Sequence, residues 1–87
     1  MAATYNLQIL TPNREALNEQ VTSIEAPGAA GHLGVLANHA PLITTLLEGE
    51  LNVKFADSRE AVYHIGGGVL KVSNNTAILL TESIESA

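Results

Sequence analysis

Apolar and polar side chains alternate with a period of two along most of the chain, and this pattern is typical of half-buried β-strands. Such a strand sends successive side chains to opposite faces, so every second residue points into the core. The inward positions of the clearest runs are Tyr5, Leu7, Ile9, Leu51, Val53, Phe55, Leu70 and Val72. Several short strands at this spacing predict an all-β fold, either an antiparallel sandwich or a barrel.

Turn-forming residues separate these runs, and asparagine pairs in particular predict tight hairpins because asparagine tolerates positive φ. The strand that precedes residues 66–68, three glycines, is predicted to stop there. A last strand is predicted over residues 76–81. The predicted turns are Thr11-Pro12-Asn13, Asp57-Ser58 and Asn74-Asn75.

One segment carries two conflicting patterns. Leu17, Val21 and Ile24 have the spacing of one face of a helix. Val21 and Ile24 are also β-branched, which favours a strand. We therefore predict a strand over residues 21–25, whereas residues 14–20 stay open between helix and strand.

Residues 26–47 contain no Asp, Glu, Lys or Arg over twenty-two positions. About a quarter of the residues in soluble domains are charged, so a stretch of this length calls for an explanation. A membrane span is excluded because Pro27, Pro41 and several glycines interrupt the apolar runs. Two interpretations remain. The stretch is a looped surface that another protein covers, since interface cores are depleted of charge, or it belongs to the domain's own core.

The chain has 87 residues, no cysteine and a formal net charge of −5. This length predicts one domain, residues 1–87, which burial and backbone pairing must stabilise because no disulfide or thiolate metal site can form. The 4 basic residues are dispersed, which excludes nucleic acid and acidic membrane surfaces as partners. No signal peptide is evident, and no segment predicts direct insertion into a membrane.

The residues that could carry chemistry do not form a recognisable site. His32 and His39 lack the close spacing of zinc ligands, so we interpret them as surface or interface imidazoles. The glycines at residues 66–68 lack the Gly-Lys-Ser/Thr sequence of a phosphate loop and indicate either a bulge or a close backbone approach between packed strands. Glu48 and Glu50 flank a glycine and are interpreted as solvated. The sequence therefore predicts no catalytic, cofactor-binding or metal-binding residues.

Two longer blocks occur in a specific order. The first is GHLGVLANHAPLITTLLEGEL, and the second is YHIGGGVLKVSNNTAILLTES, a glycine-rich strand followed by a hairpin. Together with the opening YNLQILTPNREALNEQVTSIEAPG, they resemble the N-terminal domain of the epsilon subunit of rotary F-type ATP synthases. The resemblance covers residues 5–84, which is nearly the whole chain.

This resemblance implies a flattened antiparallel β-sandwich of about ten short strands, which makes residues 14–20 extended. It also implies a non-catalytic subunit of the central stalk, the rotor, without a cofactor. Such a subunit links the gamma subunit to the membrane c-ring and couples proton translocation to ATP synthesis. The implied location is peripheral, on the cytoplasmic face of the bacterial inner membrane or on the thylakoid membrane.

Apart from Thr11, the contact residues implied by the resemblance lie within the uncharged stretch, and this favours the interface interpretation over the core interpretation. The implied contacts with the gamma subunit are Thr11, Asn38, His39, Ala40 and Thr44. The implied contacts with the c-ring are Ala29, Ala30, Gly31 and His32. In the Gly-x-Leu-Gly motif, Gly31 and Gly34 are predicted to adopt turn conformations that disfavour side chains.

Two features depart from the family's pattern. Many members carry an acidic residue where His32 stands, so we expect no electrostatic contact with the ring at this position. The family's C-terminal helical hairpin, which carries inhibition and in some members nucleotide binding, is not part of these 87 residues, so we expect neither function here; a truncated chain and a naturally short subunit both fit. The alternative function is a free-standing ligand-binding β-sandwich whose apolar loop lines a pocket. Co-purification with the gamma subunit distinguishes the two.

Overall fold

Seven β-strands form the protein in the computed structural model, which describes residues 3–87. No helix occurs among the described residues, so the all-β class predicted from the alternation is confirmed. The strands are β1 (Tyr5–Thr11), β2 (Arg14–Gly28), β3 (Gly31–Leu36), β4 (Leu42–Phe55), β5 (Glu60–Ser73), β6 (Thr76–Thr81) and β7 (Ile84–Ser86).

The strands form two layers, and the three long strands β2, β4 and β5 contribute to both. The first layer contains β1 and β6, the half of β2 that pairs with β1 and the half of β5 that pairs with β6. The half of β4 that pairs with this half of β5 also belongs to it. The second layer contains β3, β7 and the remaining halves. Pairing between β1 and β2 closes the order β1-β6-β5-β4-β2 into a ring, so the sandwich is also a flattened barrel.

The expected count of about ten short strands is corrected to seven. The reason is that β2, β4 and β5 run without interruption through 14 or 15 residues, where ten separate strands would require a break in each. Register shifts in the pairing of β2 with β4 mark where the bend between layers is absorbed. The antiparallel expectation also needs one correction, because β1 and β6 pair in parallel.

Residues 14–20 belong to β2 and are extended, as the resemblance implied. The helical spacing in this segment has no structural counterpart, because β1 pairs with residues 14–21 along its whole length. The predicted stop at residues 66–68 is wrong, since β5 continues through all three glycines. Gly68 has φ +145°, and a Cβ atom there would overlap the Leu80 carbonyl oxygen, so the predicted close approach between strands is confirmed.

The hairpin between β5 and β6 confirms the prediction from the asparagine pair. Asn74 and Asn75 have φ of 50° and 57°, the left-handed conformation that asparagine tolerates better than most residues. β6 then covers residues 76–81, as predicted.

The core lies between the two layers and is formed by the inward residues of every strand except β7. Tyr5, on β1 in the first layer, donates a hydrogen bond from its phenol to the carbonyl oxygen of Val35, on β3 in the second layer, at 2.8 Å. The buried apolar residues are Tyr5, Leu7, Ile9, Val21, Ile24, Ala26, Val35, Leu46, Leu51, Val53, Phe55, Ile65, Leu70, Val72, Ala77 and Leu79. All eight inward positions predicted from the alternation are in this set.

Candidate docking surface

The uncharged stretch, residues 26–47, contributes both to the core and to the surface. Ala26, Val35 and Leu46 are buried in the core. Ile43, by contrast, is 71% exposed, and Leu36 and Leu47 are also exposed. The two interpretations of this stretch therefore hold for different residues, because a strand alternates its side chains between core and surface.

An apolar face covers the outside of the first layer. Val69 on β5 lies between Thr45 on β4 and Leu80 on β6. Leu10 of β1 pairs with Leu80 on its other side, so this row crosses four strands. We use the name apolar face for Leu10, Ile43, Leu47, Val69, Ile78 and Leu80. A contiguous exposed apolar surface of this kind marks an interaction site more often than chance exposure does.

The outside of the second layer has the opposite character. In the first layer, Lys71 is a charged outward residue within the apolar face, where it pairs with Ile43 and Ile78. On the second layer, β2, β4, β5 and β7 each place a carboxylate at an outward position, beside polar residues and the exposed Val62 and Leu36. The exposed carboxylates there, which we call the acidic face, are Glu25, Glu50, Glu60 and Glu85. The negative charge of this layer is therefore directed away from the apolar face.

The implied ring-contact residues form the turn between β2 and β3. Gly28 pairs with Gly31, which leaves Ala29 and Ala30 at the tip of the turn, and all four implied ring residues are exposed. Gly31 has φ +124°, which confirms its predicted special conformation. The amide of Ala29 donates to the carbonyl oxygen of Thr45 at 3.0 Å, so this turn is fastened to a strand of the apolar face.

The prediction of a special conformation at Gly34 is wrong. Gly34 lies within β3, does not have positive φ, and a Cβ atom there would meet the Ile24 carbonyl oxygen at 3.9 Å, an ordinary contact. The Gly-x-Leu-Gly motif is thus explained by its first glycine and not by its second.

Three of the implied gamma contacts lie in the loop between β3 and β4, which we call the docking loop, residues 37–41. Asn38 has φ 62°, a left-handed conformation. The Nδ1 atom of His39 lies 2.8 Å from the Ala40 carbonyl oxygen, and a carbonyl only accepts, so Nδ1 carries the proton. Asn38, His39 and Ala40 are all exposed.

The other two implied gamma contacts lie elsewhere on the molecule. Thr11 is at the far end of β1, roughly 16 Å along the strand from Asn6, which lies at the docking-loop end. Thr44 pairs with the buried Leu70 and is half-buried on the inner side of β4, so its neighbours Ile43 and Thr45 face outward instead. The apolar face lies between Thr11 and the docking loop.

The sequence interpretation missed the apolar face itself. A signal was available, because Val69, Leu80 and Leu10 are apolar residues at positions where the alternation calls for polar ones. They come together only because β1, β6 and β5 are neighbours in the first layer.

Other kinds of site find little support in residues 3–87. No group of three or more His, Asp or Glu residues in this part of the chain could hold a metal ion. No helix among the described residues is long and apolar enough to cross a membrane. Surface grooves of about 200 to 680 Å³ are lined by residues outside the uncharged stretch, which does not support a ligand pocket formed by that stretch.

Comparison with known proteins gives consistent matches. The family described as "ATP synthase, Delta/Epsilon chain, beta-sandwich domain" matches residues 4–87. The ATP synthase epsilon chain of Anaeromyxobacter sp. strain Fw109-5 is 43% identical over 81 residues, and the match covers 93% of this chain and 61% of that one. The epsilon chain of Chlorobium limicola is 39% identical over 80 residues, with 92% and 91% covered. The chain therefore spans less than two thirds of the Anaeromyxobacter relative and most of the Chlorobium one.

Solved structures share the fold. A chain in the Euglena gracilis mitochondrial ATP synthase, in a structure of OSCP, F1 and c-ring, superposes with a TM-score of 0.92 and 25% identity, covering 99% of this chain and 55% of that one. A chain in the Tetrahymena thermophila mitochondrial ATP synthase central stalk and c-ring gives a TM-score of 0.82 at 19% identity, with 98% and 68% covered. The second likeness is one of fold alone.

Proposed function

The chain belongs to the delta/epsilon-chain family of ATP synthases, and from this premise we propose that it is a non-catalytic rotor subunit. In this role it links the gamma subunit to the membrane c-ring and so couples proton translocation to ATP synthesis. The apolar face is the observation that carries the proposal, because it gives a small domain a broad surface suited to a permanent partner.

We assign the apolar face and the docking loop to the gamma subunit. The implied contacts Thr11 and His39 lie at opposite ends of this face, and a partner that covers it reaches both. Ile43 and Leu80 would lie near the centre of the contact, where apolar residues contribute most to binding. Lys71, and Glu15 beside Leu10 at the edge of the face, are charged groups that this partner would have to pair or leave hydrated.

We assign the turn at Ala29, Ala30, Gly31 and His32 to the c-ring. The turn exposes two alanines, a glycine and a histidine, and it contains no Asp, Glu, Lys or Arg. This composition suits contact by shape and backbone with the polar loops of the ring. The hydrogen bond from Ala29 to Thr45 supports the coupling role, since a force on the turn passes directly into β4 and the apolar face. The similar Euglena chain belongs to an assembly that contains a c-ring, which supports this assignment.

In the same proposal the chain performs no chemical step and binds no cofactor. It is peripheral, at the cytoplasmic face of a bacterial inner membrane or at a thylakoid membrane, held there by its partners. The acidic face supports this arrangement, because Glu25, Glu50, Glu60 and Glu85 suit a surface that stays in water.

Two valines provide a matched test of the gamma assignment. Val69 on the apolar face is 39% exposed, and Val62 on the outside of the second layer, among the residues of the acidic face, is 38% exposed. Both lie on β5, so a glutamate at either position faces similar constraints on folding. Val69→Glu places a charge inside the proposed contact, where an unpaired charge is costly, whereas Val62→Glu adds one more carboxylate to a solvated surface.

The measurement is the affinity of each variant for the gamma subunit, by titration calorimetry, together with unfolding in urea. We expect Val69→Glu to weaken binding by about tenfold or more and Val62→Glu to leave it within about twofold. Equal affinities for the two variants would refute the assignment of the apolar face. Failure of the unmodified chain to bind gamma at all would refute the proposed function itself.

A further inference from the structure

We propose that Asn75 is a positioning residue, which holds the docking loop in the shape that the gamma subunit recognises. The inference rests on the proposed function, because it concerns the loop assigned to the gamma contact. It goes beyond that function by naming a residue outside the contact that prepares the loop for binding.

The side chain of Asn75 joins two separate segments of the chain. Its Oδ1 atom accepts a hydrogen bond from the amide of Asn38 at 2.7 Å. Its Nδ2 atom donates to the carbonyl oxygen of Thr4 at 2.9 Å. The backbone carbonyl of Asn75 also accepts from the amide of Asn6 at 3.4 Å. One residue of the β5–β6 hairpin thus fastens the docking loop to the start of β1, across 37 and 71 positions of sequence.

The docking loop needs an external contact of this kind. It connects β3 to β4 without regular strand pairing, and Asn38 adopts a left-handed conformation that most side chains disfavour. The hydrogen bond of His39 to Ala40 is internal to the loop and does not attach it to the rest of the fold. The Asn75 side chain attaches the loop at Asn38, the residue with the left-handed backbone conformation.

The adjacent asparagine of the same turn provides a comparison. Asn75 has φ 57°, a left-handed conformation. Its neighbour Asn74 has nearly the same conformation, with φ 50°, yet within residues 3–87 its side chain makes no hydrogen bond. The two asparagines therefore share type, turn and backbone conformation, and differ in this contact.

Holding a loop in its bound shape improves affinity because less conformational freedom is lost when the partner binds. A single hydrogen bond between a side chain and an amide shifts such an equilibrium by about 2- to 12-fold. The contribution of Asn75 to gamma binding should fall in this range, although Asn75 itself need not touch the gamma subunit.

The test compares Asn75→Gly with Asn74→Gly in the 87-residue chain. Glycine adopts positive φ freely, so both variants keep the hairpin conformation and remove only a side chain. Two properties are measured: the hydrogen-exchange rate of the Asn38 amide in the free chain, by NMR, and the affinity for the gamma subunit. A third variant, Asn75→Asp, keeps an oxygen that accepts from Asn38 and removes the donor to Thr4.

We expect Asn75→Gly to exchange the Asn38 amide about 2- to 12-fold faster and to bind gamma more weakly by a similar factor. Asn74→Gly should change neither property. Asn75→Asp should restore part of the slow exchange and of the affinity, because its carboxylate accepts from Asn38 but has no donor for the Thr4 carbonyl oxygen. A general loss of stability would not show this rescue.

Unchanged exchange of the Asn38 amide in Asn75→Gly would overturn the positioning role. Faster exchange with unchanged gamma affinity would also overturn it, because the loop would then be held for no benefit to binding. If the unmodified chain does not bind gamma, the proposed function fails, and the exchange rate of the Asn38 amide in the free chain still shows whether Asn75 holds the loop.

Discussion

The phenol of Tyr5 and the carbonyl oxygen of Val35 form a buried hydrogen bond of 2.8 Å that joins the two layers of the sandwich. Tyr5 lies on β1 in the first layer, and Val35 lies on the edge strand β3 in the second. β3 pairs with β2 and precedes the docking loop, so this bond helps to fix the strand from which that loop departs.

Replacement of Tyr5 by phenylalanine should destabilise the domain by about 1–3 kcal/mol, because the Val35 carbonyl loses a buried partner while the aromatic ring is kept. The measurement is the free energy of unfolding in urea. Tyr63→Phe is the matched control, since Tyr63 is only partly buried, and it should change stability by less than about 0.5 kcal/mol. An equal loss in both variants would contradict a special role for the Tyr5 bond.

The stability of the domain at alkaline pH should depend on the same tyrosine. Burial raises the pKa of the Tyr5 phenol above its ordinary value of 10.0, although a hydrogen bond with the backbone of Ile24 acts in the opposite direction. Above pH 10 the unfolded chain loses this proton while the folded chain keeps it. The unfolded state is then favoured, and stability falls by up to about 1.4 kcal/mol for each further pH unit.

The measurement is the urea midpoint between pH 9 and pH 11, compared between the unmodified chain and Tyr5→Phe. Below pH 10 the contribution of Tyr5 is fully present and flat. The decline above pH 10 should be smaller in Tyr5→Phe, because that variant has no phenol to ionise at this position. Parallel curves for the two proteins would show that Tyr5 titrates as an ordinary tyrosine.

Gly68→Ala should be among the most damaging small substitutions in this chain. The added Cβ atom would overlap the Leu80 carbonyl oxygen, and φ +145° strains any side chain, so we expect a loss of about 3 kcal/mol or more. Gly34→Ala is the matched control. It adds the same methyl group at an ordinary contact distance in β3 and should alter stability by about 0.5 kcal/mol at most.

Thermal and urea unfolding of both glycine variants checks this comparison. Loss of folded protein for Gly68→Ala, with a normal transition for Gly34→Ala, is the expected result. A tolerant Gly68 would mean that β5 and β6 can separate locally without cost.

His32→Glu should increase affinity for the c-ring, because the resemblance places an acidic residue here in many family members. The gain should not exceed about 1 kcal/mol, the usual value for an exposed ion pair, and it should decrease as salt rises. The measurement is the affinity of the gamma-bound chain for the ring at low and at physiological salt. Identical affinities for both proteins at both salt concentrations would show that His32 does not face the ring.

The strands and most of the core were predictable because they depend on local alternation. In β1, in β6 and over residues 51–55 of β4, inward apolar residues recur at every second position, and a half-buried strand imposes that period directly. The asparagine hairpin was predictable for a similar reason, since positive φ at Asn74 and Asn75 is a property of residue type. The segment 14–20 could not be assigned from its own residues, because its helical spacing is overruled by pairing with β1.

The candidate site divides in the same way. The sequence by itself determined the all-β class, the hairpins and the uncharged stretch. Through the resemblance, it also indicated which residues are expected to contact the gamma subunit and the c-ring. Only the tertiary structure decided that Val69 and Leu80 join Ile43 in one apolar face, that β1 runs parallel to β6, and that Asn75 reaches Asn38. These relationships join residues far apart in sequence, and they depend on which strands become neighbours. Residue type and local spacing set the path of each strand, whereas strand order is set by how all the inward faces pack together.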